Sequence, residues 1–248
     1  MPFALVAGAS QGIGLAIARA LAERGYALLL VARRPEPLEA AVADVQRLSG
    51  GASLEGGAGR GVTIEALAAD LVDDPDRGRI VAAVERHSAG LDVLVHSAGT
   101  IARADVADAT LDDFDRQYAA NLRAPAALTQ ALLPSLRRAG GQVVFINSSA
   151  GLAARPNAAQ YGATLHGLRA FADALRAEVN EEGVRVTSVY PGRTATPRQE
   201  LIHAWEGKEY QPERLLQPED VAAMVVAAIA LPKTAEVTDI TIRSMAKP

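Results

Sequence analysis

The chain has 248 residues, of which 49% are hydrophobic, 22% charged and only 4% aromatic, so a folded core must be built from Ala, Val, Leu and Ile. The formal net charge of -4 comes without any long basic run, which argues against a nucleic-acid surface, and the absence of cysteine excludes disulfides, thiolate nucleophiles and Cys-ligated metals. Neither a basic leader with a cleavage region nor an uncharged span of the ~20 residues that a membrane helix needs is found, so a cytoplasmic protein that does not engage a membrane is expected.

Short apolar runs alternate with longer amphipathic ones. Strands are predicted at FALVA (3–7), YALLLVA (26–32), VTIEALA (62–68), LDVLVHS (91–97), GQVVFINS (141–148), VRVTSVYP (184–191) and EVTDITI (236–242). Helical patterns fall between most of them, over 13–23, 76–87, 121–137 and 158–181. The strands are apolar along their whole length, as expected for an α/β fold whose parallel sheet is covered by helices on both faces. Residues 48–61, LSGGASLEGGAGRG, are too rich in glycine for either helix or strand and read as a mobile connection. No polar linker divides the chain, so residues 1–248 are expected to form a single domain.

The strongest local signal is FALVAGASQGIGLAIARALAERG. A buried strand ends in Gly8, Ser10 and Gln11 follow in a tight turn, and Gly12, Ile13 and Gly14 open a helix. Glycines permit unusual backbone angles and close approach, and the free N–H groups of the helix start suit a pyrophosphate. After the second strand, Arg33 and Arg34 stand where a dinucleotide site for NAD offers an acidic side chain. Arginine attracts a 2′-phosphate that aspartate repels, so NADP(H) is the favoured cofactor, with NAD(H) as the alternative. Asp70 and Leu71 follow strand three; Asp70 is a candidate acceptor for an adenine amino group or, more plainly, a helix cap. His87, His96, His166 and His203 have no ligand spacing, so no metal site is expected.

In order and spacing these pieces resemble the short-chain dehydrogenase/reductase family over nearly the whole chain. The glycine signature corresponds to residues 7–14, with Ala7 in place of threonine. The family's N-N-A-G segment corresponds to His96, Ser97, Ala98 and Gly99, with both asparagines replaced. Its helix asparagine matches Asn121, its catalytic serine Ser148, and its Y-x-x-x-K pair Tyr161 and Leu165. The P-G segment is Pro191–Gly192, continuing to Thr194 and Thr196. The resemblance implies a Rossmann-type, doubly wound, mostly parallel sheet of seven strands, usually in homodimers or homotetramers.

It also implies a chemistry. Tyr161 would exchange a proton with the oxygen of a small-molecule carbonyl or alcohol substrate, Ser148 would hydrogen-bond that oxygen, and Asn121 would support a water chain to the lysine. Ser97, Ala98, Gly99 and Tyr161 would also contact the cofactor, and the segment from Pro191 to Thr196 would border the nicotinamide, Thr196 within reach of its carboxamide. A free tyrosine ionises only near pH ~10, and the family's lysine, one helical turn on, assists it by charge and also holds the ribose. Leu165 supplies neither. His166 is the nearest substitute, although an outward position is the simpler expectation for it. The alternative to an enzyme, possessing the cofactor frame but impaired in catalysis, is a cofactor-binding or structural subunit. The segment 193–215 is expected to form a helical flap, with Leu201, Ile202, Trp205 and Tyr210 available to line an apolar pocket or to pack onto a partner subunit.

Overall fold

The computed structural model describes residues 1–50, 62–87 and 89–246, so most of the glycine-rich stretch 48–61 lies outside the described residues. Seven strands, β1 Phe3–Ala7, β2 Ala27–Ala32, β3 Ile64–Ala68, β4 Val93–His96, β5 Gln142–Ile146, β6 Arg185–Pro191 and β7 Asp239–Ile242, form one sheet in the order β3-β2-β1-β4-β5-β6-β7. All six pairings are parallel, and each strand lies inside a segment predicted as one.

Alternation along the strands divides the core in two. Ala4, Val6, Leu28 and Leu30 pack on one side with Ile17 and Leu21 of α1 (Gly12–Glu23), Leu38 and Val45 of α2 (Pro35–Gly50) and Val221 and Val225 of α8 (Pro218–Ile229). Leu5, Leu29 and Val31 pack on the other with Ile80 of α3 (Asp74–Glu85), Leu128 and Leu132 of α5 (Ala124–Ala139) and Leu168 and Leu175 of α6 (Ala159–Val179). This double cover is why β1 and β2 are buried at every position and read as unbroken apolar runs. The short helices α4 (Leu111–Tyr118) and α7 (Pro197–Trp205) follow β4 and β6. Among the described residues no helix is long and apolar enough to cross a membrane.

The helix expected over 121–137 starts differently. Residues Ala119–Arg123 form a π-helical turn between α4 and α5, in which Ala124 N–H reaches back to the Ala119 carbonyl. Pro125 has no N–H to offer the Asn121 carbonyl four residues earlier, and the wider turn absorbs that interruption. Asn121 is thereby carried on the inward side of a local bulge, 3% exposed.

The chain order of the strands reverses between β1 and β4, and the crevice of a doubly wound sheet opens at such a point. Two glycines make it possible here. Gly8 has φ +87°, and a Cβ on it would lie 2.5 Å from Ala98 N; a Cβ on Gly14 would lie 2.2 Å from Gly8 O. Turn, helix α1 and the end of β4 therefore touch backbone to backbone. Gly8→Ala combines left-handed strain with a collision against main chain that cannot turn aside, and is expected to lose about 2–4 kcal/mol of stability in urea unfolding.

Candidate active site

The ends of β1 and β2 present the glycine turn beside the two arginines. Gly8 and Ala9 N–H both donate to the Val31 carbonyl, at 2.8 and 3.2 Å. Helix α1 has no side-chain cap from Gln11 and no acidic residue in its first turn, whereas Asp73, Thr110 and Thr196 cap α3, α4 and α7. Its first N–H groups are thus left for an anion, and the turn fits a dinucleotide pyrophosphate. Ser10 and Ile13 are half-buried and Gln11 is exposed. Gly12, at φ +58°, leaves 3.1 Å between its would-be Cβ and the Thr196 methyl group, so the turn faces the start of α7. Arg33 and Arg34 are exposed, and neither has a protein partner among the described residues. Asp70 is not a helix cap: Asp73 takes that place, while Asp70 Oδ1 accepts from Val72 N–H at 3.0 Å. Leu71, Ser97, Ala98 and Gly99 are half-buried along the same edge.

The end of β5 carries Ser148. Its Oγ accepts weakly from Ala150 N–H at 3.2 Å, which leaves the hydroxyl proton free to donate. Asn147, unremarked in the sequence, joins this serine to the tyrosine helix: Oδ1 accepts from Ser148 N–H at 2.8 Å, and Nδ2 donates to the Leu165 carbonyl at 3.0 Å. A second amide works in parallel. Asn121 Oδ1 accepts from Thr100 N–H at 2.7 Å, while Nδ2 donates to the Thr100 carbonyl at 2.9 Å and to Thr164 Oγ1 at 3.2 Å; that hydroxyl in turn donates to the Tyr161 carbonyl at 2.8 Å. Helix α6 is therefore pinned to the ends of β4 and β5 by two asparagines. An alanine-lined cleft is bounded by Ala102, Ala104, Val106 and residues 157–160, the last of which precedes Tyr161 in the chain, with Asn157 in the left-handed region at φ 60°.

Leu165 is buried, 4% exposed. His166 is exposed and its Nδ1 is 2.8 Å from the Gly162 carbonyl of its own helix, so it turns away from the position that Leu165 occupies. His96, where the family has asparagine, is 4% exposed, stacks on Phe145 and lies 2.8 Å from Thr129 Oγ1 through Nε2. Burial lowers its pKa to about 3, so the ring is neutral near pH 7.

A profile described as short chain dehydrogenase matches residues 2–207. The chain belongs to the short-chain dehydrogenase family. It is 34% identical over 242 residues to an uncharacterized short-chain type dehydrogenase/reductase of Sinorhizobium fredii, covering 95% of this chain and 88% of that one. An alcohol dehydrogenase from the archaeon Thermococcus sibiricus, solved with 5-hydroxy-NADP, is 27% identical and superimposes with a TM-score of 0.85 over 100% of this chain and 98% of its own. An actinorhodin polyketide ketoreductase variant solved with NADPH, also 27% identical, gives a TM-score of 0.86 over 97% of this chain and 95% of its own. Membership in the family assigns oxidoreductase chemistry in general terms.

In this short-chain dehydrogenase the segment after β6 forms the expected helix. Leu201 and Trp205 are 57% and 56% exposed, while Ile202 and Tyr210 are half-buried. Thr196 uses its hydroxyl locally, accepting from Gln199 N–H at 3.2 Å and donating to the Thr194 carbonyl at 3.3 Å, and Thr194 donates to the Gly192 carbonyl at 3.0 Å. Pro191 and Thr194 are buried, Gly192 half-buried. The segment is held down by Glu206, which accepts from Arg103 at 2.5 Å, from Arg193 at 2.8 Å on each oxygen, and pairs with Lys208 at 3.2 Å. Burial by itself would raise the Glu206 pKa, but the hydrogen bonds from these three cations outweigh it and bring it from 4.5 to about 2. A carboxylate depressed in the folded state stabilises it above the unfolded pKa and loses that contribution on acidification. The latch is therefore expected to hold at pH 4.5 and to release as the pH falls toward 2. The emission of the single tryptophan, Trp205, next to the latch, reports the release; Glu206→Gln is expected to show the altered emission already at neutral pH.

Proposed function

We propose that this chain is an NADP(H)-dependent oxidoreductase that interconverts a small-molecule carbonyl and a secondary alcohol, working as a homodimer or homotetramer of single-domain chains. The observation that carries the reading is the pair of hydrogen bonds through Asn147, which ties Ser148, with its hydroxyl proton free to donate, to the helix that bears Tyr161. When bound, the nicotinamide supplies or accepts the hydride. Tyr161 gives the carbonyl oxygen its proton in reduction and takes it back in oxidation; no described residue engages its hydroxyl. Ser148 donates to the same oxygen and steadies the charge that develops there. Asn121 holds the loop after β4 against α6, keeping Tyr161 in register with the cleft. Alanines 163, 170, 174 and 177 lie exposed along α6 and would allow close approach of a second copy.

Preference for the phosphorylated cofactor is supported by the exposed Arg33 and Arg34 beside the glycine turn, which have no partner among the described residues, and by the 5-hydroxy-NADP and NADPH with which the two solved relatives were determined. Fluorescence titration is expected to give roughly tenfold or greater preference for NADPH over NADH, the value of one charge-assisted hydrogen bond, and Arg33→Asp is expected to reverse the order. Equal affinities in the parent would refute the assignment.

The second reading, a cofactor-binding subunit without turnover, is supported by the buried Leu165 and by an exposed His166 that faces elsewhere. Steady NADPH oxidation with any member of a set of ketones, quinones and β-keto thioesters separates the two. In an active enzyme, Leu165→Lys is expected to raise turnover by about tenfold and to move the oxidative pH–rate profile to lower pH, because the ammonium favours the ionised phenol. The buried position also predicts a stability loss of about 1–3 kcal/mol, which makes a folding check on the same variant part of the measurement. His166→Ala is expected to leave the rate within about twofold, since surface positions of this kind act weakly. A folded Leu165→Lys chain that binds cofactor and reacts no faster would refute the account of the missing cation.

A further inference from the structure

The loops leaving β4 and β6 meet across the end of β5. Arg103 lies four residues beyond Gly99 and Arg193 directly follows Gly192, yet both bond Glu206. Because β5 stands between β4 and β6 in the sheet, this bridge spans the strand end that carries Ser148. Its charges do not balance. Arg103, Arg193 and Lys208 share one carboxylate, and among the described residues no other acidic side chain pairs with any of the three. Arg193 sends Nη2 to both Glu206 oxygens, while its Nη1 is buried and has no acceptor among the described residues. A third guanidinium, Arg198, donates to the Gly99 carbonyl in the loop after β4 at 2.5 Å. Buried cationic donors are normally satisfied by a partner, and a guanidinium presents a fork that matches an oxyanion.

We propose that Arg193, with Arg103 and Lys208 beside it, forms a subsite for an oxyanion group, a carboxylate or a phosphate, on the substrate whose carbonyl reacts at Ser148 and Tyr161. The assignment rests on the functional reading above for the position of that carbonyl. Glu206 holds the cations in place and neutralises one of them; the substrate's anion balances the remaining positive charge on their partly exposed side chains. A neutral ketone leaves that charge uncompensated, which is the source of discrimination.

Two measurements on the full chain test this independently. In the first, thermal unfolding is followed with malonate, inorganic phosphate or neutral malonamide at constant ionic strength. At least one anion is expected to raise the melting temperature of the parent, with malonamide inert and the effect lost in Arg193→Gln; which anion acts distinguishes carboxylate from phosphate. No protection, or equal protection of parent and variant as from an anion lodged at the glycine turn, overturns the subsite. In the second, kcat/KM is compared for 4-oxopentanoate against 2-pentanone and for acetonyl phosphate against hydroxyacetone. One anionic member is expected to be favoured roughly tenfold or more, as for a charge-assisted hydrogen bond, and the ratio to collapse toward unity in Arg193→Gln but to survive in part in Arg193→Lys. Parent ratios near unity in both pairs overturn the proposal. Should neither turnover nor NADPH binding be found, the functional reading fails and the unfolding measurement alone decides the subsite. Should Arg193→Gln not fold, Arg193→Lys carries both measurements: a reduced anion effect supports the subsite and an unchanged one overturns it.

Discussion

The side-chain amide of Asn147 is buried and divided between two backbone groups, the N–H of Ser148 and the carbonyl of Leu165. It ties the end of β5 to helix α6, and hence Ser148 to the helix that bears Tyr161. Little slack surrounds it. A Cβ on Gly151 would lie 2.3 Å from Asn147 Oδ1, so the turn after Ser148 closes around the amide only because that residue is glycine. Asn121 repeats the arrangement one strand over, using both its oxygen and its nitrogen on Thr100 while reaching Thr164 of α6. Buried amides left unpaired are costly, whereas these are satisfied by main chain at both ends and act as rigid struts.

That rigidity gives the leucine at 165 its significance. Its carbonyl is engaged by Asn147 and its side chain is buried, so the helix keeps its position without the cation that a related tyrosine helix would carry. The frame and the charge are separable: hydrogen bonds to main chain place α6, and they do not depend on the side chain at 165. Positive groups at this end of the sheet come instead from loops, Arg103 after β4 and Arg193 and Arg198 after β6. They lie on loops that leave the C-terminal ends of β4 and β6 rather than on the helix that bears the tyrosine.

The seven strands were legible because burial on both faces removes polar positions from a central strand, leaving apolar runs such as ALLLVA and FALVA that few other structures would tolerate. The glycine turn was legible for a related reason, since backbone-to-backbone contact admits only one residue type. Asn147 was not, because a single polar residue at the end of a strand has the same appearance whether it faces water or bridges two elements. The π-turn at Ala119–Arg123 left only Pro125 as a trace.

By itself the sequence determined the doubly covered parallel sheet, the uncapped helix start behind Gly8, Gly12 and Gly14, and the order of serine, tyrosine and leucine along the chain. These are matters of periodicity, local backbone freedom and spacing, which a linear string contains. Tertiary structure alone decided that His166 faces outward, that Asp73 rather than Asp70 caps α3, and that Arg103, Arg193 and Lys208 converge on Glu206 from segments about a hundred residues apart. Such pairings depend on which strand ends become neighbours in the sheet, and strand order is set by the packing of the whole core.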